Sequence, residues 1–231
     1  EEQVKSGFRA ALKKGEISPV VFGSATSCIG ALGLLDLAIW AFPSPMEREN
    51  FTLLDGDDIK ELEPSDSGDF YSQVVHTIMD EASGKMSVIR IFSGVPSNDG
   101  IGYNASKSTS ERLGTLFSLR GRERTQLKTV TSGDLVVAAK LKTSSTGDTI
   151  CGSESGSTFE TVEYPDPMMS FIVRPASKSA ASKLKEALNR ILDEDPTLRL
   201  GTEELTKNIV IHGMGQAHLE MAIARMMRKY K

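Results

Sequence analysis

Between Phe70 and Thr149 the chain alternates short β-branched runs with turn residues, and no other feature restricts its fold so tightly. The runs are Met86-Ser-Val-Ile-Arg-Ile-Phe92, Glu111-Arg-Leu-Gly-Thr-Leu-Phe117 and Asp134-Leu-Val-Val-Ala-Ala139. Ser97-Asn-Asp-Gly100, Ser132-Gly-Asp134 and Thr146-Gly-Asp-Thr149 punctuate them. Strands this short at regular spacing predict a small antiparallel barrel or sandwich. Helical patterns lie on both sides of it. The expected architecture is therefore a barrel flanked by two pieces that mix helix and strand.

A chain of 231 residues has room for two domains with separate cores. Its net charge of −4 advertises no overall basic field for nucleic acid, so any such contact must come from a local cluster. Cys28 and Cys151 are too few for a disulfide framework or a zinc site, which points to a reducing, cytoplasmic setting. No apolar run approaches the ~20 residues of a membrane span. The first residue is Glu, inside a helical pattern, so the chain reads as an excised fragment.

Before the barrel, Val4, Phe8, Ala11 and Leu12 recur at helical spacing until Gly15. Ile17-Ser-Pro-Val-Val-Phe22 reads as a buried strand closed by Gly23-Ser-Ala25. A helix over 30–41 follows, with Leu34, Leu35, Ala38 and Ile39 on one face, and Pro43-Ser-Pro45 stops it. Residues 46–69 are acidic and read as a linker carrying at most one hairpin. Asp55-Gly-Asp57 hints at a calcium loop, but Ile59 and Lys60 stand where a ligand and a glycine belong. Beyond the barrel come a Gly/Ser-rich joint at 153–157, a strand over 168–173 and a helix over 177–193. A hairpin of 197–201 with 208–212 and a helix over 216–229 complete the chain. The helices are expected to bury Ala181, Leu184, Leu188, Ile191 and Leu192, and Leu219, Ala222, Ile223, Met226 and Met227. The order β-α-β-β-α is a ferredoxin-like domain one strand short.

The chemistry-bearing motifs are sparse. Gly23-Ser-Ala25 ends a strand and precedes a helix, as an ordinary turn does and as a loop offering a backbone N–H to a guanine O6 also does. Arg112, Arg120, Arg122, Arg124 and Lys128 form a basic cluster that fits either a solvated loop or contact with RNA phosphates. His218 opens the last helix, where an imidazolium would oppose the helix dipole. It reads as a hydrogen-bonded residue near an interdomain surface, together with Met214 and Gly215. No Ser or Cys nucleophile is placed beside it, so no catalytic residue is expected. His76 and His212 sit on predicted strands and read as structural, and no metal site is expected.

Taken in order, several segments resemble the elongation factor G family of translational GTPases. The run Gly23-Ser-Ala-Thr-Ser-Cys-Ile-Gly-Ala-Leu-Gly-Leu-Leu-Asp36, ending in Phe42-Pro-Ser-Pro45, resembles the last strand and helix of its GTPase domain. Gly84-Lys-Met-Ser-Val-Ile-Arg-Ile-Phe-Ser-Gly94, Glu111-Arg112-Leu, Ser132-Gly-Asp134 and Thr146-Gly-Asp-Thr149 resemble its barrel. Pro165-Asp-Pro167, Leu188 with Asp195-Pro-Thr197, and Gly213-Met-Gly-Gln-Ala-His-Leu-Glu220 resemble its third domain. Two departures, Gln216-Ala217 for Glu-Leu and Val75-His76 for Phe-Lys, mark a divergent member.

The resemblance implies an α+β multidomain fragment. Residues 1–45 would be the C-terminal strand-helix end of a P-loop GTPase domain and 46–69 an acidic linker. Residues 70–157 would be an antiparallel β-barrel, the translation-factor domain II, and 163–231 a truncated ferredoxin-like domain III lacking its last strand. It implies a parent that binds GTP and Mg²⁺, docks on ribosomal RNA and proteins, and drives translocation or ribosome recycling. Gly23, Ser24 and Ala25 would face the guanine base there, and the Arg cluster would face RNA. The fragment has no G-x-x-x-x-G-K-[ST] loop, since Met79 stands where the first Gly belongs and Met86 follows Gly84-Lys85. It is therefore expected to need no cofactor, to take no small-molecule substrate and to leave GTP intact. The rival reading is a stand-alone RNA- or protein-binding adaptor built on a translation-factor barrel, which a phosphate loop upstream of Glu1 would exclude.

Overall fold

The computed structural model describes residues 2–80, 83–96, 100–121, 123–139, 141–154, 156–175 and 177–230, without the side chains of 178–180 and 182. Most of the expected turn Ser97-Asn-Asp-Gly100 lies outside them, as does Ser155 of the Gly/Ser joint. The chain divides into two compact units, the first ending at Glu49 and the second beginning at Asn50.

In the first unit, α1 (Glu2–Lys13) and α2 (Ala31–Ala41) meet through Phe8 and Trp40, whose ring centroids are 5.5 Å apart. A 3-10 turn at Pro45–Glu47 is capped by Ser44, and Arg9 grips the Glu47 carboxylate through bonds of 2.8 and 2.7 Å. The expected strand over Ile17–Phe22 does not form; the segment has no regular structure, with Val20 77% and Phe22 90% exposed. A β-branched run becomes a strand only when a neighbour takes its N–H and C=O groups. Among the described residues of this unit only a bridge between Ser24 and Ile29 does so. Leu34, Leu35 and Ile39 on α2 are likewise exposed, and Ala41 is the buried residue of that helix.

The second unit opens with a hairpin of β1 (Phe51–Asp55) and β2 (Asp58–Leu62). The segment expected as a linker thus has a core of its own: Leu53 and Leu62 are buried against Phe159, with Phe51, Tyr71 and Phe92 packed around them. Asp55 is paired with Lys60 across this hairpin, so its carboxylate serves the turn.

The middle of the chain is a single antiparallel sheet. Its strands are β3 (Tyr71–Asp80), β4 (Gly84–Ser93), β5 (Ile101–Asn104), β6 (Thr109–Arg112), β7 (Leu116–Arg120), β8 (Glu123–Gln126), β9 (Leu135–Ala139) and β10 (Thr149–Cys151). They run in the order β6-β5-β10-β3-β4-β9-β7-β8. The sheet curls into a barrel-like body, because one cluster draws on five strands from β10 to β7: Val74, Ile89, Ile91, Leu116, Val136 and Ile150 are all buried together. On β4 the inward positions alternate as the pleat requires, with Ile89 and Ile91 in the core. The expected strand Glu111–Phe117 is broken into the end of β6 and the start of β7. Leu113 leaves the ladder there to bury itself in the core, so the chain changes strand at that point.

The last part is β11 (Met169–Val173), α3 (Lys178–Glu194), β12 (Arg199–Thr202), β13 (Ile209–Gly213) and α4 (Gln216–Lys229). The sheet order β11-β13-β12, antiparallel throughout, is a split β-α-β arrangement of the ferredoxin-like kind. Leu184, Leu188 and Ile191 of α3 and Leu219, Ala222 and Met226 of α4 cover one face of the sheet. Met227, expected in that core, is 66% exposed; Met226 at the i+7 position from Leu219 takes the inward place. Ala181 is exposed as well, and Ala187 is buried in the α3 stripe.

Candidate functional site

The loop Gly23–Gly30 is tightly built. Ser24 and Ile29 exchange two backbone bonds, Ser24 N–H to Ile29 O at 3.0 Å and Ile29 N–H to Ser24 O at 3.1 Å. Two stretches of backbone pass so close that a Cβ on Gly23 would stand 2.6 Å from Ile29 O, and one on Gly30 2.6 Å from Phe22 O. Gly30 also has φ +80, so this pinch admits glycine and little else. The Ser24 hydroxyl faces Thr26 Oγ1 at 3.3 Å and accepts the Ser27 N–H at 3.4 Å. Of the three residues Gly23, Ser24 and Ala25, Ser24 has its N–H committed inside the loop.

The basic residues lie on separate strands and loops. Arg112 ends β6, at one end of the hydrogen-bonded strand order, whereas Arg120 and Arg124 lie on β7 and β8 at the other. Arg122 lies outside the described residues, and Lys128 is exposed in the loop beyond β8. Arg124 spends its guanidinium on Asp80, at 2.9 Å, and on the Ser83 hydroxyl. That guanidinium, with the Ser83 N–H at 2.7 Å, holds the Asp80 carboxyl down at about 2. Arg120 is exposed at the β7–β8 turn, opposite Glu123.

Met214 and His218, expected near an interdomain surface, are bonded to each other on either side of Gly215. His218 Nδ1 accepts the Met214 N–H at 3.1 Å, which puts the ring proton on Nε2, 2.9 Å from Asp195 Oδ2. The imidazole thus ties the β13–α4 turn to the turn after α3. Burial pushes the Asp195 carboxyl up, but bonds from Thr197 and His218 outweigh it and leave it below its ordinary range. Another histidine is structural in the same sense: His212 Nδ1 lies 2.7 Å from Ser170 Oγ across β11 and β13.

One constellation joins two of the segments that resemble the family's barrel, Glu111-Arg112-Leu and Thr146-Gly-Asp-Thr149. Glu111 accepts the Lys142 N–H at 2.9 Å, the Ser144 hydroxyl at 2.9 Å and the Thr143 hydroxyl. Lys107 reaches Thr143 O at 2.6 Å, Ser145 Oγ at 2.7 Å and Asp148 at 2.9 Å, while Asn104 bonds Ser144 and Asp148. Together they pin the loop 142–148 to the β5–β6 end of the barrel. Among the described residues no group of three His, Cys, Asp or Glu side chains could hold a metal.

Residues 69–153 match the sequence model described as "Elongation factor G domain 2", and residues 164–231 that described as "Elongation Factor G, domain III". A crystal structure of a protein from Thermus thermophilus is similar along nearly the whole chain, with a TM-score of 0.80 and 25% identity. The likeness covers 99% of this chain and 32% of that one, so this chain spans about a third of the length of that structure. Barrel-like sheet, then split β-α-β domain, in that order and with those sequences, define a translation-factor module. The chain belongs to the elongation factor G family.

Proposed function

We propose that this chain is the docking portion of a translational GTPase that works on the ribosome in the cytoplasm, promoting GTP-dependent translocation or ribosome recycling. The observation that carries the reading is the unbroken order of the two family domains, preceded by a glycine-pinched loop suited to one edge of a base. In the whole protein a backbone N–H of Gly23 or Ala25 would meet guanine O6, and the phosphates and Mg²⁺ would be held by segments other than these. The chain itself has neither the phosphate loop nor a second base contact, and one hydrogen bond falls far short of association costs of ~4–15 kcal/mol. Exposed Arg120 is the best placed of the basic residues for a ribosomal RNA phosphate, since Arg124 is already paired. Co-sedimentation with ribosomes over a salt series tests the reading. Binding whose salt dependence flattens by ~0.7–0.9 per lost phosphate contact in Arg120→Ala is the expected outcome. No association at low salt overturns the docking role, and an unchanged slope leaves Arg120 a solvated side chain.

A further inference from the structure

The barrel and the split β-α-β domain bury separate cores, and neither cluster takes a residue from the other. Polar contacts join them. Glu194, the last residue of α3, is 8% exposed and accepts the Met79 N–H on β3 at 2.8 Å. Lys229, the last residue of α4, donates to the same carboxylate oxygen at 2.7 Å and to Met79 O at 3.1 Å. Both backbone groups of one barrel residue are thus taken by one ion pair of the neighbouring domain. They are available because β10 pairs with β3 only over Tyr71–Gln73, which leaves the far end of that edge without a strand among the described residues. The Glu194–Lys229 pair does there what a missing strand would do. Lys85 of β4 adds a looser ion pair to Asp193 at 3.7 Å.

We propose that Glu194 and Lys229 form a releasable latch that sets the angle of the third domain on the barrel. A polar contact between two independent cores is the kind that opens without unfolding either side. Glu194 makes release cheaper still. Its Oε2 is buried with no hydrogen-bond partner, and Arg225 comes no nearer than 4.0 Å. Opening the joint returns that oxygen to water, which offsets part of what the latch loses. The Asp195–His218 bond on the next residue is internal to the third domain, so it persists when the latch opens.

The test uses the full chain with Cys28→Ser and two nitroxide labels, at Thr125→Cys on β8 and Leu205→Cys in the β12–β13 loop. Both positions are exposed. With the latch intact, the electron-spin distance distribution is narrow. In Glu194→Gln and, separately, Lys229→Met it broadens, and exchange of the Met79 amide accelerates at least about tenfold, while circular dichroism stays that of the parent. Lys229 lies near the end of its helix, so its variant keeps the test valid if Glu194→Gln folds poorly. A distribution that stays narrow in the folded variants, or one already broad in the parent, overturns the proposal.

Discussion

At the level of single side chains, charge in this protein is spent locally. Asp80 and Arg124 are the clearest case, brought together by the closing of β3 and β4 against β7 and β8. A carboxyl held at about 2 contributes stability that is complete above its unfolded value of ~3.9 and is lost as pH falls between the two. Carbon-detected titration of Asp80 is expected to show a midpoint near the lower value, moving up toward the ordinary range in Arg124→Ala. A midpoint that does not move would assign the effect to the Ser83 N–H alone. The pairing has no sequence signal, because 44 positions separate the partners and Asp80 belongs to no motif. The same holds for Glu194, whose partners on the barrel and on α4 are distant in sequence. His218 lies in the first turn of α4, where the helical pattern puts it, but nothing in the spacing names Asp195 as its partner.

Among the elements, periodicity serves where the pattern is long and its partner lies in the same unit. The α4 helix runs from Gln216 to Lys229 as the spacing of Leu219, Ala222 and Met226 predicts. The one departure at its C-terminal end, Met227, is a matter of ~100° around the helix axis. Met226→Ala is therefore expected to cost ~2–5 kcal/mol and Met227→Ala no more than ~0.5, read from urea midpoints at a common slope. Equal losses would place both residues in the core. The Ile17–Phe22 run misleads because extended habit is a property of pairs, not of a sequence. Strand β11 shows the same dependence from the other side. Among the described residues it is bonded to β13 alone, and Ile172 is half exposed on the face away from the helices. Such an edge is a template for another copy. Ile172→Lys is expected to lower self-association in light scattering without lowering the melting temperature; an unchanged scattering profile would mean the edge is not the contact.

The whole molecule is two units of unequal self-sufficiency. In the first, Ala41 is the only buried hydrophobic residue among those described, whereas the second contains three clusters with Leu, Ile and Val at their centres. At ~25 cal/mol per Å² of apolar surface removed from water, a unit that buries so little cannot offset its own chain entropy. A chain beginning at Asn50 should melt within a few degrees of the full one, and residues 1–49 alone should show little helical signal in circular dichroism. A large drop in melting temperature would mean that the first unit lends the second stability. Isothermal calorimetry of the whole chain with GTP at millimolar concentration should give only heats of dilution, and a micromolar dissociation constant would defeat that expectation.

The strand order of the barrel also dictates a timetable. Strand β10 sits between β5 and β3, and its residue Ile150 faces Ser72 on one side and Asn104 on the other. Until Cys151 has been made, the chain holds a β5–β6 hairpin and a five-stranded sheet of β3, β4, β9, β7 and β8 with no seam between them, the larger with its apolar inner face open to water. Closure of that seam spans a long loop and is slow compared with the turns on either side. During synthesis from the N-terminus the barrel is accordingly the part that waits, and the interval between translation of Ile91 and of Ile150 is when this protein is most open to capture by other chains.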